Sequence, residues 1–345
     1  MTGRPHERSR TIADVAARAG VSLSTVSRVL NGNARVDEAL AAKVRAAADA
    51  LDYTASPLAR SLVLGRTNTV AVVVPDLENP TFHGVLRGLS RAAARDGYHV
   101  LVADSVESVE EERILAVETR RRCDGIVLCA PRMPEDDLER LLTQLQPVVL
   151  VNREARSTGT PAVTADYRSG LTELLHLLRA EGHRTLLYLA GAPQSSSNLQ
   201  RLAALRAFSA EHPDVAVRVE PCGVNFAEGH DAADGVLASG ATGVLAFNDL
   251  VAMGLMSALG ERGVRVPDDV SVTGFDDIPF ARYLTPPLTT ASVPVTELGE
   301  QAWHRMAELL GSRAPGHTIL FRPRLEVRGS TGPAPARTVG AEAAS

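Results

Sequence analysis

Three cysteines in 345 residues are too few, and too irregularly spaced, for a disulfide framework or a thiolate metal site. Cys123, Cys129 and Cys222 are odd in number, and Cys129 sits in an apolar run where a buried thiol is expected. No apolar stretch approaches the roughly 18 residues a membrane helix needs. The opening MTGRPHERSRT is charged and lacks the apolar segment of a secretion signal, so a cytoplasmic location is expected and no membrane partner. Enzyme signatures are missing too. There is no G-x-G-x-x-G after a strand, no G-x-x-x-x-G-K-[ST] and no G-x-S-x-G elbow, which removes the sequence basis for dinucleotide, nucleoside-triphosphate or serine-hydrolase chemistry. The nine histidines show no H-E-x-x-H pairing, and His183 in EGHR reads as a loop residue. Neither a cofactor nor a metal is expected. The tail TGPAPARTVGAEAAS holds no apolar heptad, so no coiled coil is expected there.

Net charge is −5, which by itself speaks against nucleic acid, yet the charge is unevenly spread. Residues 1–66 carry ten Lys and Arg against six Asp and Glu, and the rest of the chain is strongly acidic. A basic end on an acidic body is the asymmetry expected when one module alone meets phosphate.

That basic end holds TIADVAARAGVSLSTVSRVLN, residues 11–31. Ile12, Val15, Ala16 and Ala19 recur at helical spacing and predict a helix over 11–19. Gly20 supplies the left-handed turn that ends it, and Ser22 can cap a second helix over 23–31. In that helix Val26, Val29 and Leu30 point one way, while Leu23, Ser24, Ser27 and Arg28 point the other. This pattern predicts a helix-turn-helix whose second helix enters a major groove. A third helix is predicted over 38–51, capped by Asp37. Ser56 and Pro57 then start a helix of about seven residues, too short to stand alone in water. It reads either as a conditional helix that forms with outside support or as a linker.

From residue 68 apolar runs alternate with helical stretches. Strands are predicted at 70–74, 99–103, 125–130, 147–151, 185–190, 243–247 and 270–274. Helices are predicted at 82–96, 107–122, 171–181, 199–211, 250–262 and 297–310. Alternation of this kind predicts βαβ units, parallel sheets and two α/β lobes. Ligands bind beyond the carboxyl ends of such strands. Those ends carry Pro75 and Asp76, Asn152 and Arg153, Asn248 and Asp249, and Asp276 and Asp277. Each of these groups either forks hydrogen bonds to a small polar ligand or caps the helix that follows.

The chain resembles the LacI/GalR family of bacterial transcription regulators from residue 11 to about 330. The resemblance rests on TIADVAARAGVSLSTVSRVLN, YTASPLARSLVLGRTNTVAVVVPD, FNDLVAMG and VPDDVSVTGFDD, in that order. It implies an all-α helix-turn-helix head plus an α/β two-lobed core like that of periplasmic binding proteins, with parallel sheets. The implied domains are 10–55 for the head, 56–66 for the hinge helix and linker, and 67–330 for the core. Lobe 1 covers about 67–164 and 293–320, and lobe 2 about 165–292 and 321–330. Residues 1–9 and 331–345 are expected to be disordered. The implied function is sequence-specific DNA binding by a repressor controlled by a small polar effector, a sugar or sugar derivative, between the lobes. A solute-binding protein or a sugar-acting enzyme on the same core is the alternative.

By that resemblance Leu23, Ser24 and Arg28 face bases. Ser22, Thr25, Ser27, Asn31 and Tyr53 lie near phosphates, and Leu62 with Ala59 wedges into the minor groove. Phe82, Asn152, Arg153, Arg201, Asn248 and Asp276 match effector-contact positions. The implied partners are a pseudo-palindromic double-stranded DNA operator, a sugar-like effector and a second copy of the chain in a homodimer. The sequence departs from the family in the LAAL that follows Arg201 and in Val293 and Val295, where the family carries other groups.

Overall fold

The computed structural model describes residues 10–30, 36–53, 65–157, 159–314 and 316–336. The chain divides into two compact units, Met1–Asn68 and Thr69–Ser345.

In the first unit three helices close on one small core: α1 (Ile12–Ala19), α2 (Leu23–Leu30) and α3 (Glu38–Ala50). Thr11 donates its N–H to the Asp14 carboxylate at 2.8 Å, which starts α1. Gly20 adopts φ 66° and Val21 N–H returns to the Ala16 carbonyl, so α1 stops where the glycine allows a left-handed turn. The Ser22 hydroxyl accepts the Thr25 N–H at 3.2 Å and opens α2. Val15, Ala16, Val26, Val44, Ala47 and Ala48 fill the centre. All three predicted helices form within a residue or two of their expected ends. The segment predicted as a hinge helix falls on residues outside the described ones, as does the terminal segment 1–9.

The second unit contains two six-stranded sheets. The first holds β1 (Thr69–Val74), β2 (His99–Asp104), β3 (Gly125–Cys129), β4 (Val148–Val151), β5 (Ala162–Ala165) and β11 (Ile319–Phe321), in the order β11-β5-β4-β3-β1-β2. The second holds β6 (Thr185–Ala190), β7 (Ala216–Pro221), β8 (Gly243–Ala246), β9 (Ser271–Asp276), β10 (Thr289–Ser292) and β12 (Arg324–Glu326), in the order β12-β10-β9-β8-β6-β7. Every pairing is parallel except β10 with β12. The chain therefore passes between the lobes three times, after β5, after β10 and after β11.

Helices cover both faces of each sheet, as parallel sheets require. Lobe 1 uses α4 (Pro80–Arg95), α5 (Val109–Arg120), α6 (Glu135–Gln144) and α12 (Val295–Leu310). Lobe 2 uses α7 (Tyr167–Ala180), α8 (Ser196–Glu211), α9 (Phe226–Asp231), α10 (Ala233–Ser239) and α11 (Asp249–Glu261). The α4–α12 pair packs backbone to backbone: a Cβ at Gly88 would overlap the Thr296 carbonyl, and one at Gly299 the Val85 carbonyl. Trp303 on α12 is buried beneath this pair and donates its indole N–H to Asp96 at 2.6 Å.

Five strands and three helices go beyond the sequence reading. β5 and β10 are buried but rich in Ala and Thr, β7 is an edge strand, and β11 and β12 are three residues each. None offers the long apolar run that betrays a core strand. His183 lies in the loop between α7 and β6, as its sequence context suggests, and is fully buried there, with Nδ1 at 2.9 Å from the Thr242 hydroxyl and Nε2 at 3.1 Å from the Gly332 carbonyl. The segment from 331, expected to be disordered, is tied to the core at its start: Gly332 N–H donates to Ser271 and Ala334 N–H to the Glu181 carbonyl.

Candidate functional site

On α2, Ser22, Leu23, Ser24 and Arg28 are exposed, while Thr25 and Ser27 are half-buried. Val26 inserts fully into the three-helix core and so fixes which face turns outward. The exposed face joins one guanidinium, an apolar side chain and short hydroxyls, a surface that can read base edges and meet phosphate oxygens. Tyr53, just past α3, is half-buried, and its N–H donates to the Ala48 carbonyl at 2.9 Å. Asn31, Ala59 and Leu62 lie outside the described residues.

The second candidate site lies where the carboxyl ends of the two sheets face each other. Phe82, Asn152, Arg201 and Asp276 line one small pocket of about 30 Å³. Arg201 comes from α8 and is only 1 % exposed. Its guanidinium carbon lies 4.0 Å from the ring centre of Phe275, 4.6 Å from Phe247 and 4.7 Å from Tyr167. Rings on three sides hold the cation by their quadrupoles. One Arg201 amino group donates to the Ser197 hydroxyl at 3.2 Å, and Nε has no partner among the described residues. A buried donor without an acceptor is costly unless something else meets it.

Asp276 ends β9 with φ 103°, in the left-handed region. Its carboxylate accepts the Thr81 hydroxyl at 3.0 Å, a bond that crosses from lobe 2 to the start of α4 in lobe 1. Burial pushes the Asp276 carboxyl up to about 6, with Arg201 and Thr81 pulling the other way. Asn152 (φ 55°) and Ala130 (φ 44°) end their strands in the same strained region, and such outliers gather at functional sites. Asn152 also accepts the Ala165 N–H at 3.2 Å, which ties β4 to β5 at the crossing between lobes.

Arg153 and Asn248 also carry bonds within the chain. Arg153 donates to the carbonyls of Pro131 and Met133 and to Glu135, and so braces the loop after β3. Asn248 caps α11 by accepting the Val251 N–H at 2.9 Å, and it donates to the Val224 carbonyl at 2.7 Å. Asp249 and Asp277 have partners within the chain as well. Asp249 accepts the Thr290 hydroxyl and the Ile278 N–H, and Asp277 pairs with Arg328 at 2.7 Å. Arg132, Tyr167 and Phe247 line the pocket and were missed. Arg132 follows β3 and had the same strand-end signal as Asn152. In the structure Glu107 takes its guanidinium in two bonds, at 2.6 and 2.8 Å.

Residues 11–56 match the family of bacterial regulatory proteins named for lacI, and residues 175–331 match the periplasmic binding protein-like domain. The HTH-type transcriptional regulator AscG of Escherichia coli (strain K12) is 33 % identical over 323 residues, covering 90 % of this chain and 95 % of its own. The chain belongs to the LacI family.

Solved LacI-family structures carry the same architecture. The lac repressor dimer bound to operator and an anti-inducer is 26 % identical, with a TM-score of 0.82 over 94 % of this chain and 100 % of its own. A LacI-family regulator from Enterococcus faecium with bound ribose is 27 % identical, with a TM-score of 0.66 over 77 % of this chain and 99 % of its own. This LacI-family chain is a DNA-binding transcriptional regulator, with a helix-turn-helix head and a two-lobed α/β core. Among the described residues no helix is long and apolar enough to cross a membrane.

Proposed function

We propose that the regulator is a cytoplasmic, non-enzymatic repressor that binds a pseudo-palindromic operator as a homodimer and responds to a sugar-like effector in the interlobe cleft. The observation that carries this reading is the convergence of Phe82, Asn152, Arg201 and Asp276, drawn from both lobes, on one buried pocket. Arg28, Leu23 and Ser24 read bases. Ser22, Thr25, Ser27, Asn31 and Tyr53 hold phosphates, and Ala59 with Leu62 meets the minor groove. Residues 10–55 form the head, 56–66 the hinge, and the core runs from 67 through at least Ala334. The edge strand β2 leaves Leu101 and Val102 exposed, surface that a second copy would cover.

The switch follows from the Thr81–Asp276 bond. It is a direct hydrogen bond between lobes, and its acceptor is the carboxylate a ligand hydroxyl would seek. A ligand that takes this acceptor and offers one of its own to Arg201 Nε replaces an interlobe contact with contacts to itself. The lobes then settle at a different angle. Lobe 1 begins at β1, next in sequence to the hinge, so the two hinges of a dimer shift apart and operator affinity changes. Differential affinity for two lobe arrangements is what allostery requires.

The test is fluorescence anisotropy on operator DNA with and without a panel of sugars, for the wild type and Asp276→Ala. A sugar that weakens wild-type binding at least tenfold, with no effect on a variant that still binds operator, supports the reading. A sugar response preserved in Asp276→Ala would remove Asp276 from the switch.

A further inference from the structure

The pocket that gathers the four converging residues holds about 30 Å³, room for one or two waters and not for a sugar ring. Beside it lies a chamber of about 900 Å³, within the roughly 300–1,000 Å³ typical of ligand sites. Glu107 and Val224 line both, so the two are adjoining parts of one cleft. None of the six residues matched to family effector positions lines the chamber.

Its walls differ. On the lobe 2 side Leu199, Leu202 and Val219 present apolar surface, with Leu199 54 % and Val219 45 % exposed. On the lobe 1 side Asp76, Glu78 and Asp104 stand at the ends of β1 and β2, and Glu107 follows them. Burial and the neighbouring Asp104, Glu107 and Glu78 carboxylates raise the Asp76 carboxyl above its ordinary value. No Lys, Arg or His lines this chamber. Crowded acceptors repel an anion and welcome hydroxyl donors. The apolar wall opposite suits the C–H face of a pyranose. Arg201 Nε, buried and unpartnered in the adjoining pocket, is a separate sign that part of a ligand reaches inward.

Resting on the sugar-effector reading above, we propose that the effector is an unphosphorylated disaccharide. One end reaches Arg201 and Asp276, and its second ring fills the chamber between Leu199 and the Asp76–Asp104 wall. A monosaccharide would leave most of the chamber as water, and a phosphate lying in the chamber would face carboxylates with no cation among the chamber's lining residues to balance it.

Isothermal titration calorimetry on the full chain tests this with cellobiose, maltose, lactose, melibiose and trehalose, alongside glucose, galactose and glucose 6-phosphate. The expected result is one disaccharide binding at least tenfold tighter than its constituent sugars, with no binding of glucose 6-phosphate. Leu199→Glu, on an exposed position, should cost that disaccharide about tenfold. A monosaccharide or glucose 6-phosphate that binds as tightly as any disaccharide, or a Leu199→Glu variant with unaltered disaccharide affinity, overturns the two-ring proposal alone. Operator binding that no sugar in the panel alters, with no calorimetric signal, would overturn the sugar-effector reading itself.

Discussion

Replacing Asp276 by Asn should make the regulator more stable and deaf to its effector at once. The Asp276 carboxyl has an ordinary value of 3.8 and lies at about 6 in the folded chain, because burial strips the charged form of water. Below pH 4 folded and unfolded chains both hold the proton, and nothing is lost. Between pH 4 and 6 the unfolded chain releases it first, so folded stability falls as pH rises, and above pH 6 the loss is constant. With 1.36 kcal/mol per unit, the ionised carboxylate costs about 3 kcal/mol at pH 7 and about 1.5 kcal/mol at pH 5. Asn keeps the acceptor for the Thr81 hydroxyl and resembles the protonated acid, so Asp276→Asn should recover most of that cost. Urea unfolding followed by far-ultraviolet circular dichroism and by the fluorescence of the single, buried Trp303 measures it. The variant should exceed the wild type at pH 7 by about twice its margin at pH 5. A variant less stable than the wild type at pH 7, or a margin independent of pH, would instead show that the Arg201 attraction outweighs desolvation.

Arg28→Ala should relax base choice at one position of each half-site, at about 1–3 kcal/mol, as read by binding to a set of single-base operator variants. Uniform weakening across that set would mean that Arg28 touches only phosphate. Gly88→Ala should destabilise the core by about 3 kcal/mol, since the new Cβ meets the Thr296 carbonyl where α4 and α12 touch. An unchanged urea midpoint would mean the helices separate at little cost. The Cys129 thiol, fully buried and pushed up to about 12, should resist an aromatic disulfide reagent at pH 8 until the core unfolds, whereas half-buried Cys222 should react first. Rapid labelling of Cys129 in the folded chain would contradict the packing of β3.

What the sequence revealed followed the strength of its signals. The three head helices were legible because each pairs an apolar stripe with a boundary signal: the Gly20 stop, and the Ser22 and Asp37 caps. The central strands β1, β3, β4, β6 and β8 were legible as buried runs of Val, Leu and Ile. The edge strand β7 alternates charged and apolar residues, and β5 and β10 are mostly Ala and Thr, so neither pattern nor hydropathy announced them. The cleft was half legible. Strand ends pointed to Asn152 and Asp276, which line the pocket, and also to Asn248, whose side chain caps α11, and Arg153, whose charge braces a loop. Sequence cannot tell a cap from a contact when both favour the same residue at the same place. The aromatic cage of Arg201 was hidden for another reason: Tyr167, Phe247 and Phe275 come from three elements far apart in the chain.

Selection of binding sites from a random DNA pool with the purified full chain asks directly whether this regulator reads a two-fold operator. Enrichment of one near-palindromic sequence is expected, with binding that weakens steeply as salt rises, because counterions released into a saltier bulk gain less entropy. A pool that enriches no sequence, or only an asymmetric single half-site, would contradict it.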